Sequence, residues 1–300
     1  VSEGPPSPTW PDVSGPLGRP RLHLRRTTST NDEARALADG GAPHGTLVTA
    51  AEQTAGRGRQ GRVWSAPSGR SLLCSIVIRD PPPLLPLAAG VAVAETVDVL
   101  INETPDATVG ETAGAAVAET VDAPVGETPG SVVAVSGAVT QPASIKWPND
   151  ILLDGRKVAG ILVEGRPQES WAVVGIGLNV AVAETHFPPE IVARAATLGL
   201  EPDRIEPALK TVLERLEHWL VSDAESLLTE LRSRDALLGR PVRWAGGEGR
   251  ADGIDGDGRL VVRTPDHGRV TLDAGEVHLA PESDPPAPPT GARPARRSMR

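Results

Sequence analysis

The 300-residue sequence holds one cysteine, one methionine, one phenylalanine and no tyrosine. The single thiol, Cys74, excludes an internal disulfide, and its place in an apolar run makes it a core residue. The chain is therefore expected in a reducing cytoplasm. Excess positive charge is also lacking. A formal net charge of −9 removes the electrostatic footprint of a nucleic-acid binder. No apolar run approaches the ~20 residues of a membrane span, so no membrane partner is expected. The first twenty residues carry no apolar signal core. His23, His44, His186, His218, His267 and His278 are scattered without metal-ligand spacing.

Glycine and arginine alternate from Ala55 to Trp64, in the order Ala-Gly-Arg-Gly-Arg-Gln-Gly-Arg-Val-Trp. Gly56, Gly58 and Gly61 let the backbone approach a ligand closely. Arg57, Arg59 and Arg62 supply planar donors suited to carboxylate and phosphate oxygens. The segment is too glycine-rich for a helix and too charged for a buried strand, so a mobile loop that orders over an anion is expected. A solvated surface loop explains the same residues. An Arg-Gly RNA-binding module would need basic charge and interleaved aromatics, and only Trp64 lies nearby.

Along the chain, 1–20 reads as a disordered tail and Arg21–Arg26 as a short strand. Thr30 with Glu33 makes a capping box, Ser29 being the neighbouring cap candidate. Ala34, Leu37 and Ala38 form an apolar stripe that Gly40-Gly41 stops. Ser29, Thr30 and Asn31 thus cluster at a helix start, a place suited to an anion or polar ligand. Thr46–Ala51 and Ser71–Ile78 read as strands, the second apolar enough to be central. Leu84–Val99 reads as a helix.

Val93-Ala-Glu-Thr-Val-Asp98 recurs as Val117-Ala-Glu-Thr-Val-Asp122, and Glu103-Thr-Pro105 as Glu127-Thr-Pro129. This duplication reads as a low-complexity insertion over about 99–140 with no part in chemistry. Ile151–Leu153, an Asp154-Gly155 turn and Lys157–Glu164 read as a hairpin. Trp171–Val180 is a strand whose Gly175 and Gly177 imply close approach of a ligand or backbone. Helices are expected over Glu206–Leu220 and Asp223–Leu238. Short β runs (Val242–Ala245, Leu260–Arg263, Arg269–Leu272, Glu276–Leu279) then suggest a small antiparallel barrel. The expected organisation is a catalytic domain over 21–238, a barrel over 239–280 and a disordered tail over 281–300.

Ser29-Thr30-Asn31, Gln53, the arginine loop with Trp64, Lys146-Trp147-Pro148-Asn149-Asp150, Lys157–Glu164 and Gly175-Ile-Gly177-Leu-Asn179 occur in one order. Together they resemble the biotin protein ligases, the biotin–[acetyl-CoA carboxylase] ligase family. The resemblance implies an α/β (α+β) catalytic domain on a mixed sheet, followed by an SH3-like barrel. It implies two steps. Biotin and Mg-ATP give biotinyl-5′-AMP, and a lysine of the biotin carboxyl carrier domain of acyl-CoA carboxylase then takes the biotin. Lys157, Arg57 and Arg59 would be catalytic. Ser29, Thr30, Asn31, Gln53, Gly56, Gly58, Gly160 and Gly175, with those three cations, would bind biotin. Arg59, Arg62, Trp64, Lys146, Asn149, Asp150 and Asn179 would serve the nucleotide, and Asp150 is the candidate Mg²⁺ contact. Trp147 and Pro148 read as packing residues.

Some members of that family carry a DNA-binding winged helix. The twenty residues before Arg21 are too few for one, so no DNA partner is expected, and a homodimer is expected to be weak. Lipoate or octanoate ligases share the fold and form the alternative, but their Arg-Arg and glycine-triplet signature is absent here. An inactive scaffold that grips the carrier domain is disfavoured by Arg57, Arg59 and Lys157 occurring together.

Overall fold

The computed structural model describes residues 17–103, 141–166, 170–273, 275 and 277–279. Most of the duplicated insertion lies outside the described residues, as do both tails. The chain divides into two compact units. One runs to Ala236 and takes in Gly256–Gly258; the other is the remainder from Leu237.

The first unit contains β1 (Arg21–Leu24), α1 (Thr30–Asp39), β2 (Leu47–Ala50), β3 (Ser71–Arg79) and α2 (Leu85–Asn102). The hairpin strands β4 (Ser144–Lys146), β5 (Asp150–Leu153), β6 (Arg156–Arg166) and β7 (Trp171–Asn179) follow. The short α3 (Pro189–Val192), α4 (Ile205–Val221) and α5 (Ala224–Ser233) complete it. Seven strands form one sheet in the order β1-β2-β3-β7-β6-β5-β4. Only β1 and β2 pair in parallel; the other pairings are antiparallel, so the sheet is mixed.

Strand alternation assigns the two faces. On one, Ala34 and Ala38 of α1 pack with Val48, Val77, Trp171 and Val173. On the other, Gly90 of α2 approaches Ile145, which faces Ile151 and then Ala159 across the strands. Helix α2 also packs against α4 and α5. Its length and apolarity match a membrane span, but a helix apolar on all sides is explained by burial within a unit. Twelve of its residues are buried. Cys74 is fully buried, and desolvation pushes its thiol up to about 12.

Three expectations need correction. The expected insertion begins later than residue 99: α2 continues past Val99 to Asn102. The capping box at Thr30 does not form. Ser29 is the N-cap, without a side-chain cap bond, and Thr30 is the first helical residue, its hydroxyl engaged by Gln53 and Ser75. Helix α5 stops at Ser233, short of Leu238. There Arg234 bonds Asp98 at 2.6 Å and the Ala143 carbonyl at 3.1 Å. Backbone bonds from Ile145 N to Arg234 O and from Ala236 N to Ile145 O then draw the chain alongside β4.

The second unit is a five-stranded antiparallel sheet of β8 (Pro241–Trp244), β9 (Gly247–Ile254), β10 (Leu260–Arg263), β11 (Arg269–Leu272) and β12 (His278–Leu279). Its order is β11-β10-β9-β8-β12. Strand β9 is absent from the sequence reading, because its Gly-Glu-Gly-Arg-Ala-Asp-Gly-Ile stretch has no strand-like apolar pattern. Pairing on both edges, with β8 and β10, makes it a strand.

Candidate active site

Two rows of residues across the α1 face build the site. In the first, Val48, Ser75, Gly175 and Leu162 lie side by side. In the second, Leu73, Gly177, Gly160, Asp150 and Lys146 do. The rows are two residues apart on β7, about 7 Å by strand geometry. Glycine at the centre of each row leaves the sheet floor low, and polar groups stand around it.

At the first row the start of α1 lies on that floor. A Cβ at Gly175 would overlap the Asn31 amide oxygen. Ser29, Thr30 and Asn31 are all nearly fully buried. Asn31 Oδ1 is 2.6 Å from Ser75 Oγ, and Ser75 Oγ is 2.8 Å from Thr30 Oγ1. Gln53 Oε1 accepts from the Thr30 backbone N–H at 2.7 Å and lies 3.1 Å from its hydroxyl. The result is a buried, uncharged set of donors and acceptors.

The second row carries charge. Asp150 Oδ1 is 2.6 Å from Lys157 Nζ, and Oδ2 is 3.7 Å from Lys146 Nζ. Lys157 reaches this face through a bulge. The β5–β6 register slips between Ile151 and Leu152, so Leu152 faces Lys157 rather than Val158. The bulge turns Lys157 to the Asp150 side, while Val158 is buried. Burial holds Lys146 below the ordinary lysine range; Asp150 opposes that shift, and Lys157 and Arg62 add to it. Burial likewise lowers Arg59, against the pull of Asp150. Desolvated cations near one carboxylate favour an incoming anion.

The arginine loop spans both rows. It is a ribbon rather than a featureless excursion: Trp64 N bonds Gly56 O and Gly58 N bonds Arg62 O, each at 2.8 Å. Its tip is a turn over Arg59–Gly61, with Gln60 and Gly61 at positive φ. Gly56 is required because a Cβ there would strike the Trp64 carbonyl. Arg57 Nη2 lies 2.6 Å from Glu164 and 2.9 Å from Asp32. Arg59 Nη1 donates to Asn149 Oδ1 at 3.1 Å, and Asn149 Nδ2 donates to Ile161 O at 3.0 Å. The Trp64 ring covers the second row; a Cβ at Gly177 would lie 2.5 Å from its Cε2. Lys157 Nζ stands 5.6 Å from the ring centre, within cation–π range.

The fold therefore gathers the arginine loop, the α1 start, Lys146, Asn149, Asp150, Lys157, Gly160 and Gly175 on one face. Asn179 lies on the same face, two residues beyond Gly177 on β7. It is buried, accepts from Ser71 Oγ at 3.3 Å and donates to Ala196 O at 2.9 Å, so its amide braces the end of β7. Trp147 is buried too.

Sequence reading missed Ser75, Asp32 and Glu164 as site members. Ser75 had a signal: with Ser71 it gives the otherwise apolar β3 two hydroxyls on one face. The buried Arg57 Nε and Trp64 Nε1, which have no hydrogen-bond partner, are two further donors in the loop. Leaving such a group unpaired costs about 1–3 kcal/mol. Among the described residues no cluster of His, Cys, Asp or Glu could by itself hold a metal ion.

Residues 23–180 match the biotin/lipoate A/B protein ligase family, and 237–279 match the biotin protein ligase C terminal domain. A biotin–[acetyl-CoA-carboxylase] ligase of Mycobacterium tuberculosis is 33% identical over 273 residues, covering 85% of this chain and 88% of the relative. The bifunctional ligase/repressor BirA of Bacillus subtilis is 31% identical over 265 residues, covering 83% and 70%. The fold resembles a biotin protein ligase of Aquifex aeolicus solved with biotin and ATP, with TM-score 0.63 and 24% identity over 87% of this chain and 100% of that one. The chain belongs to the biotin protein ligases of the biotin/lipoate A/B protein ligase family.

Proposed function

We propose that this chain activates biotin with ATP and transfers it to a lysine of the biotin carboxyl carrier domain of an acyl-CoA carboxylase. One observation carries the reading: a buried neutral polar patch and a desolvated cation group stand two strand positions apart on one sheet face. Biotin has the matching shape, a ureido ring at one end and a carboxylate at the other. The patch also favours biotin over lipoate, whose dithiolane ring offers neither donors nor strong acceptors to Thr30, Asn31, Gln53 and Ser75.

In the first step a biotin carboxylate oxygen attacks the α-phosphorus of ATP. The bond to the bridging oxygen breaks, and pyrophosphate leaves with its electron pair. Two anions must meet, so fixed positive charge between them lowers the barrier. Lys157, Arg59, Lys146 and Arg62 supply it, with Arg57 closing the loop from the biotin side. Ser29, Thr30, Asn31 and Gln53 hold the ureido end over Gly175, and Gly56 and Gly58 bring the loop backbone close. Trp64 offers its ring to the adenine, while Asn149 fixes Arg59 in place. In the second step an unprotonated lysine amine attacks the acyl carbon, AMP departs, and the amine loses a proton. The closed loop keeps water from the anhydride between steps.

A single carboxylate suits an Mg²⁺ ion brought in on the phosphates. Asp150 would hold it, and the ion would offset phosphate charge. We read the antiparallel sheet of the second unit as the SH3-like barrel of this family.

Pyrophosphate–ATP exchange tests the reading. Biotin should drive exchange, while lipoate and octanoate should not. Exchange driven by lipoate in preference to biotin would transfer the assignment to the other branch of the family.

A further inference from the structure

We propose that Glu164 is a positioning residue that sets both the closure of the arginine loop and the hydrogen-bond direction of the polar patch. What it positions rests on the ligase reading above. Glu164 lies on β6 on the same face as Gly160 and Leu162. Its Oε2 takes two donors, Asn31 Nδ2 at 2.8 Å and Arg57 Nη2 at 2.6 Å. Arg35 Nη1 stands 3.6 Å from Oε1. Glu164 is 26% exposed, less than Arg57 at 36% or Asp32 at 44%, so of the two carboxylates holding Arg57 it is the better shielded from solvent.

An ionised carboxylate only accepts. Asn31 must therefore turn its NH₂ to Glu164 and its carbonyl oxygen to Ser75. The Ser75 hydroxyl, 2.6 Å from that oxygen, donates to it. Ser75 Oγ also lies 2.8 Å from Thr30 Oγ1, whose hydroxyl faces Gln53 Oε1 at 3.1 Å. The Thr30 backbone N–H holds Gln53 Oε1 at 2.7 Å. Glu164, with the Leu162 carbonyl 3.4 Å from Asn31 Nδ2, thus fixes the direction of the Asn31 amide and of the Ser75 hydroxyl. Glu164 Oε2 also anchors Arg57, so loop closure and ligand reading share one group.

Glu164→Gln separates the two roles. A Gln carbonyl still accepts from Asn31, but the charge that holds Arg57 is gone. Two measurements are made on the full chain. The first is the rate of trypsin cleavage after Arg57, Arg59 and Arg62, followed by mass spectrometry without ligand. The second is the biotin dissociation constant. Glu164→Gln should raise loop cleavage about fivefold, as for loss of one part-exposed ion pair, and weaken biotin less than Glu164→Ala does. Glu164→Ala should raise cleavage similarly and weaken biotin about tenfold, because Asn31 Nδ2 then keeps only its longer bond to Leu162 O at 3.4 Å. Unfolding midpoints separate these effects from a general loss of fold, and the near-isosteric Gln variant carries the test if the Ala variant does not fold.

Unchanged cleavage in Glu164→Gln would overturn the closure role. Equal loss of biotin affinity in both variants would overturn the directional role. The cleavage readout needs no ligand, so it stands or falls apart from the ligase reading; a parent chain that binds no biotin would sink that reading and the directional role together.

Discussion

Lys146 shows how far one residue's environment reaches into function. Burial is the first cause of its lowered pKa, with Lys157 and Arg62 adding to it against Asp150. A base with a lowered pKa loses its proton at a lower pH than an exposed lysine. Nucleotide affinity should therefore fall as pH rises from neutral through that lowered value, and Lys146→Arg should remove the alkaline loss. Calorimetric titration with ATP across neutral and alkaline pH measures it, and a profile identical in parent and Arg variant would dismiss Lys146 as the titrating cation. Cys74 offers a control in the same scale. Buried and pushed up to about 12, it should resist alkylation in the folded chain and react only on unfolding. Lys146, Lys157 and the loop arginines were legible in the sequence because their motifs are local. Glu164 and Asp32 were not legible as partners, since each meets Arg57 only through the folded sheet.

At the scale of elements, two glycine-centred rows and one bulge do the positioning. Gly175→Ala would force a methyl into the Asn31 amide. It should cost about 1–3 kcal/mol of stability, as overpacking does, and weaken biotin more than ATP. Gly177→Ala would press on the Trp64 ring instead and should weaken ATP more than biotin. Denaturant midpoints with separate ligand titrations check both, and the same loss for both ligands in both variants would refute the two-row description. The Asp154-Gly155 hairpin was readable because both residues take positive φ, which that dipeptide suits. The bulge that turns Lys157 inward was not, because register is settled by the partner strand. Strand β9 and the early end of α5 escaped for the same reason: pairing with neighbouring strands outweighed the local pattern.

For the whole molecule, chain order and spatial order differ, and the site follows the second. The site draws on two stretches far apart in the chain, the α1 start with the loop over 55–64 and the strands β5, β6 and β7, so that Arg57 touches Glu164 across 107 positions. The cations Arg57, Arg59, Arg62, Lys146 and Lys157 gather on one face of a chain whose net charge is −9, so overall charge concealed a local cluster of cations. Nucleotide binding should accordingly weaken with added salt, and a salt-independent dissociation constant would count against the cation group.

The most direct measurement is a crystal structure of the chain with a non-hydrolysable biotinyl-AMP analogue. The ureido ring should bond Thr30 and Gln53 over Gly175, and the phosphate-equivalent group should lie among Arg59, Lys146 and Lys157. The analogue bound elsewhere would contradict the account. One such place is the cavity of about 600 Å³ lined by Pro81, Pro82, Pro83 and Trp171.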